Sequence, residues 1–215
     1  MSIILKGKQE GLPWRRARHG VLTGSVVKSL IKSKGGDPVL VKPRGGRSPM
    51  VYDVAHQRMT PVRIGDDDGW VNADMERGTR LEPDARADYA FTSGNQVDEV
   101  MFVYRDDDKR EGASPDGLVG DDGGIEIKCP NTRTLMVYRD TGIVLPDEHI
   151  PQMQWLMWVA GREWCDFVVY CPPSDGDFPS WTERVVASPL WFEAFDERVA
   201  KFRQEVDEVI ERTKA

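Results

Sequence analysis

The chain has 215 residues, of which 40% are hydrophobic and 30% are charged, a balance typical of a globular protein that folds in water. This length supports one sizeable core, so we expect residues 1–215 to form a single domain. The net charge is −7, and no apolar run approaches the roughly 20 residues of a membrane-spanning helix or forms a secretory signal, so we expect a cytoplasmic protein without a membrane partner.

The first half of the chain predicts helices separated by long loops. Residues 14–34 predict an amphipathic helix pair or one broken helix, with Ser25 as the N-cap of the second part. Residues 33–70 are rich in Gly, Pro and charge and predict long loops around a short strand or helix. Residues 73–91 predict a helix that ends at Ser93-Gly94 and that is kinked or starts late because of Pro83.

The second half alternates between strands and helices. Residues 97–104 predict a strand, and Leu118-Val119 and Ile125 to Lys128 predict two strands joined by a Gly-Asp-Asp-Gly-Gly turn. Residues 151–160 predict a buried helix and residues 164–171 a buried strand. Helices around a central mixed β-sheet, an α/β fold, are the architecture that this order of elements favours.

A final helix is predicted from Ser188-Pro189 to about residue 212. Its apolar residues recur at helical spacing and form one stripe: Phe192, Phe195, Val199, Phe202, Val206 and Val209. The stripe can pack on the core or on a partner subunit, and core packing is the favoured interpretation because a lone helix of this length needs such contacts to persist.

Charge is distributed unevenly along the chain. Eleven Lys and Arg against Glu10 and Asp37 give residues 1–47 a charge of +9, which leaves −16 for the rest of the chain. This asymmetry fits a basic surface for a polyanion beside an acidic region that binds cations. A solvated basic face explains the same numbers, so charge alone does not decide the function.

The cysteines and histidines restrict the kind of metal site. Cys129, Cys165 and Cys171 include no Cys-x-x-Cys pair, and the three histidines are scattered along the sequence. This pattern argues against a disulfide framework, a structural zinc site and a four-cysteine iron–sulfur cluster. Any metal ligands should therefore be carboxylates, which favour Mg²⁺ or Mn²⁺.

Asp116, Glu126 and Lys128 form the candidate catalytic group. Side chains two apart on a strand share a face, so Glu126 and Lys128 point together while Ile125 and Ile127 face the core. The predicted hairpin brings Asp116 to the same face. Two carboxylates that hold one or two Mg²⁺ ions, with an amine that orients or deprotonates water, suit phosphodiester hydrolysis. The alternative is an ordinary solvated acidic hairpin.

Several segments together resemble the phage lambda exonuclease family of viral recombination nucleases, which belongs to the PD-(D/E)xK fold. The similarity covers about residues 12–171 and rests on motifs that are individually weak but specific in combination. These segments are Trp14 to Ser25, residues 42–46, Asp84-Ala85-Arg86, residues 91–94, residues 104–106, Ala113 to Leu118, Ile125 to Pro130 and residues 152–159.

The resemblance implies roles for particular residues. Asp116, Glu126 and the backbone carbonyl of Ile127 are expected to bind the metal, with Glu82 near a second ion. Lys128 matches the catalytic lysine. Gln154 matches a helix glutamine close to the active site, and an ordinary polar position on a buried helix is its alternative.

Family members digest one strand of duplex DNA from a phosphorylated 5′ end and leave a 3′ single-stranded tail. Arg18, Ser25 and Ser114 match the family's 5′-phosphate pocket, and a guanidinium with hydroxyls suits a terminal phosphate. As alternatives, Ser25 can be a helix cap and Arg18 a plain surface charge. Further basic residues are candidate DNA backbone contacts: Arg15, Arg16, Lys42, Arg44 and Arg47.

The same resemblance implies a Mg²⁺-dependent 5′→3′ exonuclease with two ions, for which Mn²⁺ can substitute. It also implies a ring of three subunits around DNA, a single-strand annealing protein as partner and, for a phage or prophage protein, the cytoplasm of a bacterial host. Three alternatives remain: a structure-specific or RecB-like endonuclease of the same fold, a non-catalytic DNA-end-binding clamp, and a plain structural or interaction protein.

Overall fold

The computed structural model describes residues 1–43, 47–62 and 73–214, and within these ranges the chain forms ten strands and seven α-helices. The strands are β1 Ile3–Lys6, β2 Ile31–Lys34, β3 Asp37–Leu40, β4 Val97–Asp98, β5 Val100–Tyr104, β6 Gly112–Ala113, β7 Gly117–Val119, β8 Gly123–Lys128, β9 Trp164–Val169 and β10 Trp181–Val186. The helices are α1 Gly11–Arg18, α2 Gly24–Val27, α3 Pro49–Met59, α4 Ala73–Ser93, α5 Thr132–Thr141, α6 Ile150–Ala160 and α7 Pro189–Lys214.

The central sheet has five strands in the order β10-β9-β8-β7-β4. β8 and β9 are parallel, because the chain between them crosses over through α5 and α6, and the remaining neighbours are antiparallel. A three-stranded sheet, β1-β5-β6, and the β2-β3 hairpin complete the architecture. The predicted α/β fold with a central mixed sheet flanked by helices is therefore confirmed.

Strand β8 is covered by helices on both faces. Ile125 and Ile127 pack with Leu81, Ala85 and Tyr89 of α4 in one hydrophobic cluster. The opposite face turns towards α6, where Gly124 lets the helix come close: a Cβ at this position would lie 2.9 Å from Leu156. The alternation in the sequence thus separates an apolar face of β8 from the face that carries Glu126 and Lys128.

The β7-β8 hairpin has the predicted turn, in which Gly120 adopts a φ of +53° that favours glycine.

Residues 97–104 differ from the prediction of one strand. Val97–Asp98 pair with β7 in the central sheet, whereas Val100–Tyr104 pair with β1 and β6 in the second sheet. The chain changes sheets at Glu99, which periodicity alone does not reveal.

The N-terminal half also departs from the expectations. The predicted helix pair is present as α1 and α2, but it ends at Val27, and residues 31–34 form a strand instead. Ser25 is not the N-cap of α2, because the cap is Thr23 and the helix begins at Gly24. Within residues 33–70 the described part contains β2, β3 and α3, which is more regular structure than the predicted loops, while residues 44–46 and 63–70 lie outside the described ranges.

Helix α4 runs through Pro83 without interruption, so the predicted late start at this proline is wrong.

The apolar stripe of α7 packs on the core: Phe195, Val199, Phe202 and Val206 are all buried there, and α7 lies against α3. Core packing, the favoured interpretation of the stripe, is thus confirmed. Among the helices of the described residues, none combines the length and apolar character needed to cross a membrane.

Candidate active site

Asp116, Glu126 and Lys128 meet at one end of the central sheet. Asp116 directly precedes β7, and its Oδ2 accepts a 2.7 Å hydrogen bond from the backbone N–H of Ile127 in the neighbouring strand. The Lys128 ammonium contacts Glu126 Oε1 and donates to the Ile127 carbonyl oxygen at 3.2 Å. The structure thus brings the three predicted catalytic side chains together, with the Ile127 carbonyl beside them.

The electrostatics of this group distinguish its acids from its amine. Burial and the neighbouring charge of Glu126 raise the pKa of Asp116 to about 8. Burial lowers the pKa of Lys128, but the charges of Glu126 and Asp116 outweigh this effect and hold its pKa above the ordinary value. While both carboxylates keep their charge, Lys128 is therefore held as an ammonium that can donate to a phosphate or a water.

The oxygen atoms at this place fit a hard divalent cation. Asp116 and Glu126 are two carboxylates at close quarters, Glu126 is only 2% exposed, and the Ile127 carbonyl adds a neutral oxygen. A cation between the carboxylates would relieve the repulsion that raises the pKa of Asp116. In the described part of the chain no three His, Cys, Asp or Glu side chains cluster as metal ligands, so the fit rests on two carboxylates and a carbonyl.

Glu82 lies on α4 near this group but is engaged elsewhere. Its carboxylate pairs with the Arg86 guanidinium one turn later, while burial raises its pKa above the ordinary value. Arg86 also donates from Nε to the Asp116 carbonyl oxygen at 2.8 Å and lies 3.4 Å from Glu99. Arg86 therefore ties α4 to the loop that carries Asp116, and Glu82 does not complete the metal site in this arrangement.

Gln154 does not lie at the catalytic group, contrary to the expectation. Its Nε2 donates to the Val186 carbonyl at 2.9 Å and its Oε1 accepts from the Ser188 N–H at 3.0 Å, which ties α6 to the chain between β10 and α7. The glutamine at the site is Gln152, whose Nε2 donates to Glu126 Oε2 at 2.9 Å. Residues two apart on a helix point about 200° away from each other, so only one of the two can face β8.

A cavity of about 210 Å³ adjoins the catalytic group and brings the predicted phosphate-binding residues together. Arg18, Ser25 and Ser114 line this cavity, and Glu126 and Gln152 form part of the same wall. The loop at Ser114 is fixed by Gln9, whose side chain donates to the Pro115 carbonyl oxygen at 2.6 Å. The residues predicted to bind phosphate and one predicted catalytic carboxylate therefore share one small space.

Ser114 accepts two hydrogen bonds in this cavity. Arg18 Nη1 donates to its Oγ at 2.9 Å and Trp14 Nε1 at 3.1 Å, while the Trp14 ring lies 4.5 Å from the Arg18 guanidinium carbon. Because both neighbours donate, the hydroxyl hydrogen of Ser114 is left to donate to a third group. Ser25 contributes a second hydroxyl, 3.0 Å from that of Thr23.

Arg18 is a cation whose charge is not neutralised within the described residues. No carboxylate lies within ion-pair distance of its guanidinium there, and burial lowers the pKa of Arg18 below the ordinary value. A desolvated guanidinium without a counter-ion favours an anion in the cavity beside it. A phosphate group provides that charge and the acceptor oxygens for both hydroxyls.

The predicted DNA backbone contacts are dispersed. Arg15 and Arg16 lie on α1, the helix that presents Arg18, and Lys42 is exposed after β3. Arg47 forms an ion pair with Glu208 of α7, so its charge is taken up within the protein. Arg44 lies outside the described residues.

Four residues at the site were not assigned a role from the sequence: Gln9, Trp14, Arg86 and Gln152. Trp14 and Arg86 stand in segments that carry the family resemblance, and Gln152 stands two residues from the glutamine that was chosen. No local sequence pattern indicates that Gln9 belongs to the site, because its contacts join residues about a hundred positions apart.

Comparisons with known proteins show the family to which the chain belongs. The model of the YqaJ-like viral recombinase domain matches residues 13–163. Alkaline exonuclease LHK-Exo from Laribacter hongkongensis is 36% identical over 94% of this chain and 95% of that chain, with a TM-score of 0.75. Its complex with dAMP gives the same identity and coverage with a TM-score of 0.76.

A phage-related exonuclease from Haemophilus somnus 129PT is 16% identical over 98% of this chain and 97% of that chain, with a TM-score of 0.55, and this likeness shows the fold alone. No curated protein matches the chain. The recombinase model spans well over half of the sequence, and the LHK-Exo likeness extends over nearly all of it. The chain belongs to the YqaJ-like viral recombinase domain family.

Proposed function

We propose that this protein is a Mg²⁺-dependent 5′→3′ exonuclease that digests one strand of linear duplex DNA from a 5′-phosphorylated end. That the chain is a DNA exonuclease follows from its family and from its 36% identity to alkaline exonuclease LHK-Exo. The polarity, the metal and the end preference are the proposed parts.

One observation supports the proposal above all others. The cavity that contains Arg18, Ser25 and Ser114 also contains Glu126, which contacts Lys128. A terminal phosphate bound in such a small space places the adjoining phosphodiester at the catalytic group. This arrangement would make cleavage begin at an end that carries a 5′-phosphate.

The protein's own residues position the strand and supply charge. Arg18 and the two hydroxyls bind the terminal phosphate, Lys128 as an ammonium donates to the scissile phosphate or to the attacking water, and Gln152 holds Glu126 in place. Hydrolysis breaks one P–O bond and adds water, which releases a nucleotide with a 5′-phosphate. A divalent ion on Asp116, Glu126 and the Ile127 carbonyl would polarise the phosphate and lower the pKa of a bound water.

We propose Mg²⁺ as this ion, with Mn²⁺ able to replace it. A second ion would recruit Glu82, whose carboxylate would first have to leave Arg86. The ring of three subunits and the annealing protein that takes up the 3′ tail remain part of the proposal, and both rest on the family.

Digestion of end-labelled linear duplex with Mg²⁺ tests polarity and end preference together. The proposal predicts mononucleotide release from the labelled 5′ end at once, late release of a 3′ label, and a slower reaction on 5′-hydroxyl ends. Lys128→Ala should remove hydrolysis but keep DNA binding in fluorescence anisotropy, because the lysine acts on the reaction and is not needed to fill the core.

Covalently closed plasmid distinguishes the alternative nuclease. An end-dependent exonuclease leaves the closed circle intact, whereas a structure-specific or RecB-like endonuclease nicks or linearises it. Binding of DNA ends without hydrolysis by the wild-type protein would instead support the non-catalytic clamp.

A further inference from the structure

A groove of about 780 Å³ lies next to the phosphate cavity and takes no part in the function proposed above. Lys28 comes directly after α2, whose start lines the cavity, and Pro151 directly precedes Gln152 on α6. The two spaces are thus adjacent along both helices. The groove is lined by Lys28, Lys32, Ser33, Ile143, Leu145, Pro146, Asp147, Glu148 and Pro151.

Lys28 is the half-buried cation of this groove. No hydrogen bond or ion pair ties its ammonium to another of the described residues. Burial lowers the pKa of Lys28, the negative charges of Glu126 and Glu148 raise it, and the positive charge of Lys128 lowers it. A partly desolvated ammonium without a counter-ion is costly unless an anion joins it.

The carboxylates that line the groove do not neutralise Lys28. Asp147 accepts a 2.7 Å hydrogen bond from the backbone N–H of Gly35 and so holds the β2-β3 turn. Glu148 has a side chain that is 76% exposed and lies 3.6 Å from His149. Neither is within ion-pair distance of Lys28 in the part of the chain that the structure describes.

The remaining wall of the groove is apolar and suits a flat ring. Leu145, Pro146 and Pro151 line it, and Ile143 leaves 40% of its surface exposed at the edge. An ammonium beside an apolar wall matches a nucleotide, in which a charged phosphodiester alternates with a base that has an apolar face. The groove is open at its surface and can therefore accept a continuous strand rather than a detached molecule alone.

We propose that this groove binds the digested strand on the 3′ side of the scissile phosphate, with a phosphodiester at Lys28 and its base against the apolar wall. This inference rests on the proposed function and deepens it, because it adds a second contact to the strand that enters the catalytic group. Together with Arg18, Lys28 would hold the strand on both sides of the bond that breaks.

Neutral linkages in the substrate test the contact. A methylphosphonate replaces one phosphodiester at a time, at the first three positions 3′ of the scissile bond, in the digested strand or in the complementary strand. The measurement is the single-turnover rate at which the first nucleotide is released from 5′-phosphorylated duplex. Wild type, Lys28→Gln and Lys28→Arg are compared with Lys201→Gln, which removes an exposed charge of α7 that lines neither space.

The proposal predicts that one position in the digested strand slows wild type and Lys201→Gln roughly tenfold or more, the loss expected for one charge-assisted hydrogen bond. Lys28→Gln should be slow on natural DNA, and that methylphosphonate should not lower its rate further. The rate of Lys28→Arg should still fall when the methylphosphonate is present. Equal sensitivity of Lys28→Gln and wild type at every position overturns the contact, as does coupling confined to the complementary strand. Failure of wild type to degrade unmodified DNA is a separate result, which overturns the proposed function itself.

Discussion

Replacement of Arg18 by Met should abolish most of the preference for a 5′-phosphate. The guanidinium donates to Ser114 Oγ at 2.9 Å, lies over the Trp14 ring, and has no carboxylate partner in the described chain. One hydrogen bond from a charged donor contributes about 1.5–3 kcal/mol, so the ratio of rates on 5′-phosphate and 5′-hydroxyl ends should fall roughly 10- to 150-fold. The rate on 5′-hydroxyl ends should change far less, because that end lacks the anion.

Single-turnover digestion of the two substrates measures this ratio, and thermal unfolding verifies that the variant is folded. Arg16→Met is the matched control, since Arg16 is an exposed arginine on the same helix and does not line the cavity. Its substitution should affect both substrates alike. An Arg18→Met enzyme that keeps the wild-type ratio would refute the assignment of the cavity to the terminal phosphate.

The two glutamines of α6 should respond in opposite ways. Gln152→Leu lowers activity and leaves stability nearly unchanged, whereas Gln154→Leu lowers the free energy of unfolding by roughly 1–3 kcal/mol, because two part-buried hydrogen bonds, to the Val186 carbonyl and from the Ser188 N–H, are lost. Urea denaturation and digestion rates separate these effects, and the reverse pattern would contradict the placement of both side chains. His149 should make the protein acid-sensitive, because burial lowers its pKa to about 3 in the folded state. The unfolded chain takes up a proton below about pH 6.5 that the folded state refuses, so stability falls with pH and the loss reaches about 2 kcal/mol at pH 5. Denaturation of wild type and His149→Gln at pH 7 and pH 5 measures this difference, and parallel pH profiles would show that His149 does not contribute.

Local patterns in the sequence were sufficient to predict the helices and strands that face the core on one side. The spacing of Phe195, Val199 and Phe202 defined α7, and the alternation of Ile125 and Ile127 with polar residues defined the faces of β8. The same alternation, with the glycine turn, predicted that Asp116, Glu126 and Lys128 would converge, and the structure places them together. These features depend on neighbours in sequence, which periodicity records.

Some elements that were not predicted did carry a local sequence signal, but neighbouring features favoured another interpretation. Gly35-Gly36 is a two-residue hairpin turn with φ values of +61° and +93°, but Pro38 and the surrounding charge favoured a loop. Helix α5 has both a cap at Asn131, whose side chain accepts from the Thr134 N–H, and a left-handed Gly142 at its end. Strand β10 is an edge strand that is defined by its pairing with β9.

The details of the site depended on tertiary contacts that no local pattern encodes. The resemblance indicated Glu82 as a metal ligand, but Arg86 holds its carboxylate while also binding the Asp116 loop. Gln152 and Gln154 are both polar positions on a buried helix, and only the orientation of α6 against β8 shows which one reaches Glu126.

The binding of a divalent ion by Asp116 and Glu126 is the claim on which the account depends most. Anomalous diffraction from crystals that contain Mn²⁺ locates such an ion directly. We expect a peak in contact with both carboxylates and with the Ile127 carbonyl oxygen, at about 2.2 Å from each. A Mn²⁺-saturated crystal with no peak between these two side chains would contradict the account.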